Sequence, residues 1–570
     1  MNDSRTTLLQ QLCDTLPLWT LGVEGLSIRL MHLDQGLRAV AAGTATRQAI
    51  SAINTHTVWS WQKHPLDRKL CRHMLALVQN NPDQQDAAGL AAAILQRNAI
   101  PGDFALWREQ IAADPYAAGH SLINRMRNES QCCFWLGEAF ELCLSTSQPD
   151  RWQEVLAALP DFNGAALIRQ RMQAEWIVQS AKQSSPSDYA VSLHGLANLQ
   201  EACGKAFDLW VTEMRIEAAL KAQHTEAAQK TLSALWQTHH WHPAVTQALY
   251  SLMSPQKLPS EKLQTSPPAI LLYSWNKPQL LCQTLETLRV SDIGNAPVFV
   301  LDNGSDKFSA DSSSTTEDMQ TMLQSMANQW PDSGLSTVTL PVNIGAPAAR
   351  NWLLSLPEVR QREWAVFLDD DVVMPKTWLT QLMGTAYEDN NIATVGCAIL
   401  DHTPPHAVQS ADDFTVDPEV GQRSFVDLAE NVLIYSNAAG SRSIISSMHT
   451  RPCLSVSGCC HAINIRTIEQ CGGFDVRYTP TQFDDLERDL RCAQAGFTTM
   501  FTGSVRIAHM QHSSMRQAVS NAKRGHIMGN KIKLEHSYSA AAIAAMRQKT
   551  LLAATTDLLR KHAALCRIYS

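Results

Sequence analysis

Three consecutive carboxylates, Asp369, Asp370 and Asp371, are the strongest chemical signal in the sequence. They follow a short apolar run, residues 364–368, which predicts a buried strand. Because like charges this close repel one another, a bound divalent cation would stabilise them, and hard oxygen ligands suit Mg²⁺ or Mn²⁺. The carboxyl edge of a parallel sheet is also where open α/β folds bind ligands. The alternative is an acidic turn in solvent.

Strands and helices alternate ahead of this acidic turn and predict the sheet that would position it. Residues 269–275 and 297–301 are apolar enough to be strands, and residues 279–290 between them have the spacing of an amphipathic helix. This order is typical of an α/β fold with a mostly parallel, doubly wound sheet. Residues 308–318 form a polar insert of low complexity, for which we expect a mobile surface loop.

Residues 1–253 are predicted to be helical throughout, because Ala, Leu, Gln and Trp recur at helical spacings and strand patterns are scarce. The clearest part, residues 211–253, has a turn near His224 and loosely resembles a tetratricopeptide-type helical hairpin. Its expected inward stripe is Ala218, Ala227, Leu232, Leu235 and Trp236. We expect a helical solenoid or bundle that either docks a partner or only supports the rest of the chain.

The polar segment 254–268 is the expected linker, since its four prolines cannot continue a helix. A chain of 570 residues is also too long for one core. We therefore expect a helical domain over residues 1–253, an α/β domain over residues 269–515, and a helical extension over residues 516–570, where Ala-rich helical periodicity returns.

The composition describes an ordinary globular protein, with 45% hydrophobic and 18% charged residues. The formal net charge of -7 argues against a polyanionic partner such as nucleic acid. No apolar run is long enough to span a bilayer and the start lacks the order of a signal peptide, so we expect a cytoplasmic protein. The 14 cysteines include no C-x-x-C pair. We expect reduced thiols, with Cys459 and Cys460 packing as small apolar side chains.

Five segments after Pro268 occur in an order that is characteristic as a set. They are LLYSWNKPQLLCQTLETL, VFVLDNGSD, NIGAPAARN, FLDDDVVMP and the stretch over residues 457–514, which contains GGFDVRYTPTQFDDLERDLRCAQAGF. Together they resemble the family-2-type glycosyltransferases of the GT-A fold over roughly residues 269–515. The helical first part lies outside the resemblance. The resemblance implies an enzyme that moves a sugar from a nucleotide-sugar donor to an acceptor hydroxyl.

The resemblance implies that Asp371 binds the metal, Mn²⁺ or Mg²⁺, which bridges the diphosphate of the donor. Asp369 would face the ribose or the donor sugar, and Asp370 is grouped with the same nucleotide-sugar contacts. His509 follows the predicted strand VRIA, as in the closing motif of the family, and would be a further ligand. His512 can take that role instead, and the alternative for either histidine is an exposed loop position. A neutral imidazole suits Mn²⁺ better than Mg²⁺.

The resemblance also implies the nucleotide contacts. Asp302, at the end of a predicted strand, can accept hydrogen bonds from a uracil-like base edge or from ribose hydroxyls. Asp302-Asn303-Gly304 is at the same time a strong turn sequence. Arg350 follows small residues that can open a helix, so its guanidinium is expected at the nucleotide or in an ion pair on the helix surface. Asn276 and Lys277, in the turn after the first strand, are further candidates.

The segment FDDLERDLR carries the expected general base. In the family, an acidic pair opens a helix ahead of an Ala-Gly-aromatic turn, and Asp484-Asp485 precedes Ala495-Gly496-Phe497 in that register. We expect Asp485 to deprotonate the acceptor hydroxyl, with Asp484 as the alternative. Acids at a helix start are also stabilised by the helix dipole, whatever their function. One base on the face opposite the leaving group implies direct displacement with inversion.

We therefore expect a metal-dependent inverting glycosyltransferase of hexosyl or N-acetylhexosaminyl type that uses a UDP-sugar. The acceptor would be a glycan or a protein, which is compatible with peripheral contact at the inner face of a membrane. One alternative is a sugar-phosphate nucleotidyltransferase, which should carry a Gly-rich loop where this chain has SWNKP. Another is a module that binds protein and senses nucleotide without catalysis. Asp475, in a loop like the acceptor loop of the family, either contacts sugar or caps its turn.

Overall fold

The computed structural model describes residues 2–21, 26–77, 84–181, 185–254, 259–306, 318–330, 334–417, 432–510 and 521–569. The polar insert that was expected to be a mobile loop lies outside these residues, except for Asp318. Among the described helices, none combines the length and the apolar character needed to cross a membrane.

The first part of the chain is helical, as predicted. Its helices are α1 (Asn2–Thr15), α2 (Leu26–Ala41), α3 (Arg47–Lys63), α4 (Arg68–Leu77), α5 (Gln85–Gln96), α6 (Phe104–Ala113), α7 (Pro115–Met126), α8 (Cys132–Ser145), α9 (Pro149–Ala158), α10 (Ala165–Ser180), α11 (Pro186–Cys203), α12 (Asp208–Lys221), α13 (Thr225–His239), α14 (Pro243–Met253) and α15 (Ser260–Thr265), with a 3₁₀ turn over Pro17–Leu21. Because α15 lies inside the segment expected to be a linker, that segment is not wholly irregular.

Tryptophan side chains fill the core of this helical part. Trp61, Trp107, Trp135 and Trp152 are fully buried in one cluster, and aromatic rings of this size contribute much of the apolar area that a core removes from water. The expected turn near His224 separates α12 from α13.

The inward stripe predicted for α12 and α13 is correct at four of its five positions. The prediction is wrong at Ala227, which is exposed, while Ala228 is buried. One residue is about a quarter of a helical turn, so the stripe runs slightly further round α13 than its spacing suggested.

The second part of the chain contains the strands. They are β1 (Ala269–Ser274), β2 (Val298–Asp302), β3 (Leu335–Thr339), β4 (Trp364–Leu368), β5 (Val372–Val373), β6 (Ile392–Asp401), β7 (Val408–Ser410), β8 (Asp412–Val416), β9 (Leu433–Ser436), β10 (Thr450–Cys453), β11 (Ser455–Val456), β12 (Cys460–Asn464) and β13 (Thr498–His509). The main sheet has the order β10-β13-β6-β12-β4-β1-β2-β3, with β5 on β13 and β7 on β6, and β11-β8-β9 form a small second sheet.

The α/β class is confirmed, and the main sheet is mixed. Strands β3, β2, β1 and β4 are parallel, whereas β12 runs antiparallel between β4 and β6. The helices of this second part of the chain are α16 (Pro278–Arg289), α17 (Met319–Gln329), α18 (Ala346–Leu354), α19 (Pro357–Arg360), α20 (Trp378–Ala386), α21 (Ile465–Cys471) and α22 (Asp484–Gln494), with 3₁₀ turns over Ile444–Ser447 and Val476–Tyr478.

Helices cover both faces of the parallel half. Alternate strand residues enter two cores: Leu272 and Val366 pack with α16, α17 and α20, whereas Leu271 and Phe367 pack with α18. Burial on both faces explains why these strands are continuous apolar runs in the sequence. Because Ser274 opposes Asp302 in this ladder, the residues that follow each parallel strand meet at one edge.

Helices α23 (Asn521–Ser537) and α24 (Ala540–Ile568) form the predicted C-terminal extension. Helix α24 packs against α1, α14 and β10, and so contacts both the helical part and the sheet. Its Lys561 donates a hydrogen bond to Gln247 of α14 at 2.8 Å and another to the Thr450 carbonyl of β10. The extension therefore holds the two parts of the chain together.

Candidate active site and metal centre

The three aspartates begin directly after β4, where the fully buried run Trp364–Leu368 ends. Asp370 turns inward: its Oδ2 accepts a hydrogen bond from Ser274 Oγ at 2.5 Å, and its Oδ1 accepts one from Lys277 Nζ at 3.2 Å. Thr284 Oγ1 of α16 donates to the Asp370 carbonyl at 3.0 Å. Burial raises the pKa of Asp370 to about 6, against the opposing charge of Lys277. Asp370 thus anchors the acidic turn to β1 and α16.

Asp371 and His509 lie side by side, with Oδ1 and Nε2 2.8 Å apart. Their pairing follows from the sheet, since His509 opposes Val372 and the Met510 amide donates to the Asp371 carbonyl at 2.7 Å. His509 Nδ1 lies 2.9 Å from Gln409 Oε1, an oxygen that accepts the ring proton, so Nε2 is the nitrogen that faces Asp371. Although burial acts the other way, the contact lowers the pKa of Asp371 and raises that of His509.

Asp369 belongs to a group of potential metal ligands at the same edge. Its amide donates to the Cys459 carbonyl at 2.9 Å, which extends the β4–β12 ladder by one residue. One donor atom each from Asp369, Cys459 and His509 all lie within 4.8 Å of one another. Burial raises the pKa of Asp369 and of the Cys459 thiol. With the carboxylate of Asp371 beside them, these donors fit a divalent cation.

Arg350 of α18 connects the triad to the acidic start of α22. It is buried, with Nη1 2.6 Å from Asp484 Oδ2 and Nη2 4.0 Å from Asp369 Oδ1. The rings of Phe474 and Tyr273 lie 5.0 and 5.6 Å from its guanidinium carbon, and such π faces stabilise a cation. Arg350 therefore forms an ion pair inside the protein, so the alternative of an ion pair on the helix surface is wrong, and its contact with the nucleotide stays a prediction.

The neighbours Asp484 and Asp485 have different surroundings. Asp484 is buried against Arg350, and burial raises its pKa to about 6. Asp485 is half-buried, and the amides of Gly458 and Leu486 each donate to it at 2.8 Å. A Cβ at Gly458 would lie 2.7 Å from Asp485 Oδ2 and 2.8 Å from Arg350 Nη2, so a side chain at this position would push these charged groups aside. Asp485 is the more accessible of the two carboxylates.

Asp302 and Asn276 lie in the loops after β2 and β1. Asp302 is buried opposite Ser274, and its Oδ1 accepts a hydrogen bond from the Ser305 amide at 2.9 Å. Asn276 is exposed at a φ of 56°, and its side chain exchanges hydrogen bonds of 2.9 and 2.8 Å with Asp306. These contacts fasten the two loops to each other beside the acidic turn.

Two further candidates have different outcomes. His512, the alternative to His509, lies outside the described residues. Asp475 caps its turn: its Oδ1 accepts a hydrogen bond from the Arg477 amide at 2.9 Å, and its Oδ2 lies 2.6 Å from the Arg477 guanidinium. This geometry matches the capping alternative for Asp475.

A cleft with a volume of about 1220 Å³ borders the β5–β13 pair. Gln179 and Glu217 line it from the helical part, and Val373 and Ala508 line it from the sheet. The two sheet residues are one or two positions from the paired carboxylate and imidazole. Within the described part of the chain, Gln179 Oε1 and Glu217 Oε1 are buried and have no hydrogen-bond partner. The cleft therefore offers acceptor atoms to a ligand with hydroxyl or amide donors.

A protein-family model classifies the part of the chain that holds these residues. The model, described as "Glycosyltransferase like family 2", matches residues 267–527. Residues 267–527 are a family 2-like glycosyltransferase domain. This match, together with the mixed sheet, confirms the GT-A fold. The glycosyltransferase domain contains every candidate site residue, and the matched range leaves the helical first part outside.

Two solved structures are similar to the chain at low identity. One is GalNAc-T7 with UDP, GalNAc and Mn²⁺, at 14% identity and a TM-score of 0.33, covering 43% of this chain and 43% of that chain. The other is the mannosyltransferase PcManGT from Pyrobaculum calidifontis in complex with GDP-Man and Mn²⁺, at 15% identity and a TM-score of 0.34, covering 60% of this chain and 84% of that chain. The chain thus spans less than half the length of the first. None of the curated proteins matches the sequence significantly.

Three residues of the glycosyltransferase domain's site escape sequence reasoning. Gln409 of β7 orients His509, but a single glutamine has no spacing that signals this role. Gly458 has only its place before a Cys-Cys pair as a signal. Cys460 is buried in the core and Cys459 is partly buried against the same core, as expected, but the position of Cys459 among the donor atoms has no signal in the sequence.

Proposed function

We propose that the glycosyltransferase domain transfers a sugar from a nucleotide sugar to an acceptor hydroxyl, with a divalent cation at Asp371 and His509. The proposed donor is a UDP-sugar of hexosyl or N-acetylhexosaminyl type, and the proposed outcome is inversion at the anomeric carbon. The acceptor is a hydroxyl of a glycan or of a protein. The family match supports glycosyl transfer. The finer statements depend on the geometry of the site.

One observation carries the proposal: Arg350 contacts the carboxylates of both Asp369 and Asp484, so the donor-side and acceptor-side acids border the same space. Asp485 follows Asp484, and two backbone amides hold its carboxylate while it stays half-buried. A carboxylate fixed in this way can take a proton from an acceptor hydroxyl. A base that acts on the acceptor directly, with no covalent intermediate, supports inversion.

The metal side of the proposal uses Asp371 Oδ1 and His509 Nε2, which lie 2.8 Å apart. These donors accommodate Mn²⁺ or Mg²⁺, and the imidazole favours Mn²⁺. When bound, such an ion stabilises the charge on the departing nucleoside diphosphate. Lys277 Nζ, 3.4 Å from Asp371 Oδ2, adds positive charge on the same side.

The donor would lie across the loops after β1, β2 and β4. Asp302 and Asn276 are proposed to contact the nucleotide, and Asp369 to face the ribose or the sugar. The hydrogen bonds of Asp370 to Ser274 and Lys277 favour a positioning role for this residue rather than direct contact. The cleft beside β5 and β13 supports entry of the acceptor between the helical part and the sheet.

Two broader statements are part of the proposal. The division of the chain at residues 254–268 is supported by the start of the family match at residue 267. A cytoplasmic location is proposed from the composition of the sequence.

The loop after β1 argues against a nucleotidyltransferase, which should carry a Gly-rich loop there. This loop instead begins with an exposed Trp275 and with Asn276, whose side chain is hydrogen-bonded to Asp306.

Nucleotide release from a panel of UDP- and GDP-sugars in the presence of Mn²⁺ tests the proposal. The wild-type protein is expected to turn over at least one donor. Asp371→Ala is expected to lower kcat/KM by roughly a hundredfold or more, because it removes a group that acts on developing charge. Asp389→Ala is the matched control, since this exposed aspartate only caps the Asn391 amide at 2.8 Å. Full activity of Asp371→Ala would refute the assignment of the metal site.

A further inference from the structure

The thiol of Cys459 has no role in the proposed reaction, yet it lies among the metal donors. Cys459 precedes β12, and its carbonyl accepts the hydrogen bond from the Asp369 amide at 2.9 Å. The backbone ladder thus fixes both side chains at the same edge of the sheet. Among the cysteines in the described ranges, Cys459 alone belongs to a group of three or more potential metal ligands.

Donors of three chemical types meet at this point. They are a carboxylate oxygen of Asp369, the sulfur of Cys459 and a ring nitrogen of His509, all within 4.8 Å of one another. Atoms bound to one ion at about 2.0–2.3 Å lie at most about 4.6 Å apart, so small side-chain rotations suffice to reach a shared ion. Asp371 Oδ1 lies 2.8 Å from His509 Nε2, beside this group of three donors, and would be the fourth ligand.

This donor set differs from one that selects only Mn²⁺ or Mg²⁺. Those ions favour oxygen ligands, whereas thiolate and imidazole together are typical ligands of Zn²⁺, which binds four donors tetrahedrally. Zn²⁺ also stands above Mn²⁺ in the general order of affinities for a given site. A cysteine at this position therefore changes which ion the site holds most tightly.

We infer that Cys459, His509, Asp369 and Asp371 form a high-affinity zinc site, and that Zn²⁺ bound there displaces the ion that supports transfer. Binding forms a zinc–sulfur bond while the thiol proton leaves to water. The displacement depends on the proposed function, because it concerns the ion used in that reaction. The zinc site itself depends only on the four donors.

Metal binding by the full-length protein, stripped with a chelator, tests the zinc site. Zn²⁺ affinity is measured by competition with a chromophoric chelator, and Cd²⁺ is added separately to follow the ultraviolet charge-transfer absorption of a cadmium–thiolate bond. The wild-type protein is expected to bind Zn²⁺ and to show the cadmium band. Cys459→Ser and Cys459→Ala are expected to lack the band and to bind Zn²⁺ about tenfold more weakly, or weaker still.

Cys471→Ser is the matched control. Cys471 is similarly half-buried but ends α21, which follows the other end of β12. This variant is expected to keep the band and the zinc affinity. Circular dichroism and thermal unfolding establish that each variant is folded, and the two replacements at Cys459 differ in polarity. Equal zinc affinity of the wild-type protein and both folded Cys459 variants, or a cadmium band that survives in them, would overturn the zinc site.

Displacement has its own readout. Zn²⁺ added to the Mn²⁺-loaded protein is expected to release Mn²⁺, which is followed by the electron paramagnetic resonance signal of the free ion. Retention of Mn²⁺ at saturating Zn²⁺ would refute displacement. A protein that binds zinc through Cys459 but releases nucleotide from no donor sugar supports the zinc site and refutes the proposed function, so the two failures are distinguishable.

Discussion

Single residues with the same side chain acquire different properties in this site from their neighbours alone. Asp370 and Asp484 are buried, and burial raises the pKa of each to about 6. Asp371 directly follows Asp370, but contact with His509 lowers the pKa of Asp371 despite burial. The sequence identifies these acids as a set. The sequence does not assign roles within the aspartate triad or the Asp484-Asp485 pair. The reason is that Asp484 contacts Arg350 of α18 and Asp371 contacts His509 of β13, and both partners lie far away along the chain.

Replacement of the two helix-start acids separates catalysis from stability. Asp485→Asn is expected to reduce kcat by about a hundredfold to ten-thousandfold, because an amide cannot take up the proton of the acceptor. The loss of one backbone hydrogen bond should lower the free energy of unfolding by only about 1 kcal/mol. Nucleotide-release kinetics and urea unfolding measure the two quantities.

Asp484→Asn is the comparison variant at the neighbouring position. It leaves the buried guanidinium of Arg350 without its anionic partner at 2.6 Å, so we expect a loss of about 3 kcal/mol in the free energy of unfolding. If Asp484→Asn instead retained stability and lost turnover, while Asp485→Asn remained active, the base would be Asp484.

At the scale of elements, β12 completes the site. It pairs antiparallel with β4 and β6, and the residues just before it, Gly458 and Cys459, thereby reach Asp485 and Asp369. The parallel half of the sheet is predictable, since each strand there is an apolar run that ends in polar residues. The position of β12 is not, because its register depends on pairing with strands that precede it by many residues.

The turn after β2 is expected to tolerate no side chain larger than hydrogen at Gly304. Its φ is 73°, and a Cβ there would lie 2.2 Å from the Val342 carbonyl carbon. Gly304→Ala should push the loop after β3 away from Asp302, lowering the free energy of unfolding by about 2–5 kcal/mol and raising the KM for the donor. Urea unfolding and nucleotide-release kinetics measure both effects.

Gly440→Ala controls for the backbone conformation. Gly440 has a φ of 80°, but a Cβ there would meet nothing within 4 Å. Only the left-handed conformation then opposes alanine, so the expected loss is about 1–2 kcal/mol. Similar losses in the free energy of unfolding for the two variants would mean that contact with Val342 does not determine the cost of a side chain at Gly304.

At the scale of the whole molecule, buried polar contacts join the first residues to the second part of the chain. Arg451 of β10 donates to the carbonyls of Thr20 and Leu21 at 2.9 and 3.0 Å. Its Nε donates to Asp412 of β8 at 2.6 Å, and His449 lies 3.1 Å from the same carboxylate. Thr20 and Arg451 are 431 positions apart, so no local pattern in the sequence could indicate the contact.

The cluster around Asp412 should make the stability of the molecule depend on pH. Although burial opposes it, the charge of Arg451 and the contact with His449 hold the pKa of Asp412 well below its ordinary value. A carboxyl group whose pKa is lowered on folding stabilises the protein above its unfolded pKa of about 3.9, and this contribution is lost as the pH falls towards the folded pKa. Asp412→Asn should therefore lower the free energy of unfolding by about 3–5 kcal/mol at neutral pH.

The difference between wild-type and Asp412→Asn proteins should narrow below about pH 4, because only the wild-type chain then takes up a proton at residue 412 on unfolding, which favours its unfolded state. Urea unfolding between about pH 7 and about pH 3.5 measures this difference. Asp417→Asn is the control, since Asp417 pairs with Arg547 at 3.2 Å and its side chain is 48% exposed. It should change the free energy of unfolding by less than about 1 kcal/mol, because solvent screens such a pair. A difference for Asp412→Asn that stays constant or widens in acid would mean that this carboxyl group is already neutral in the folded protein, and that hydrogen bonds alone join the first residues to the sheet.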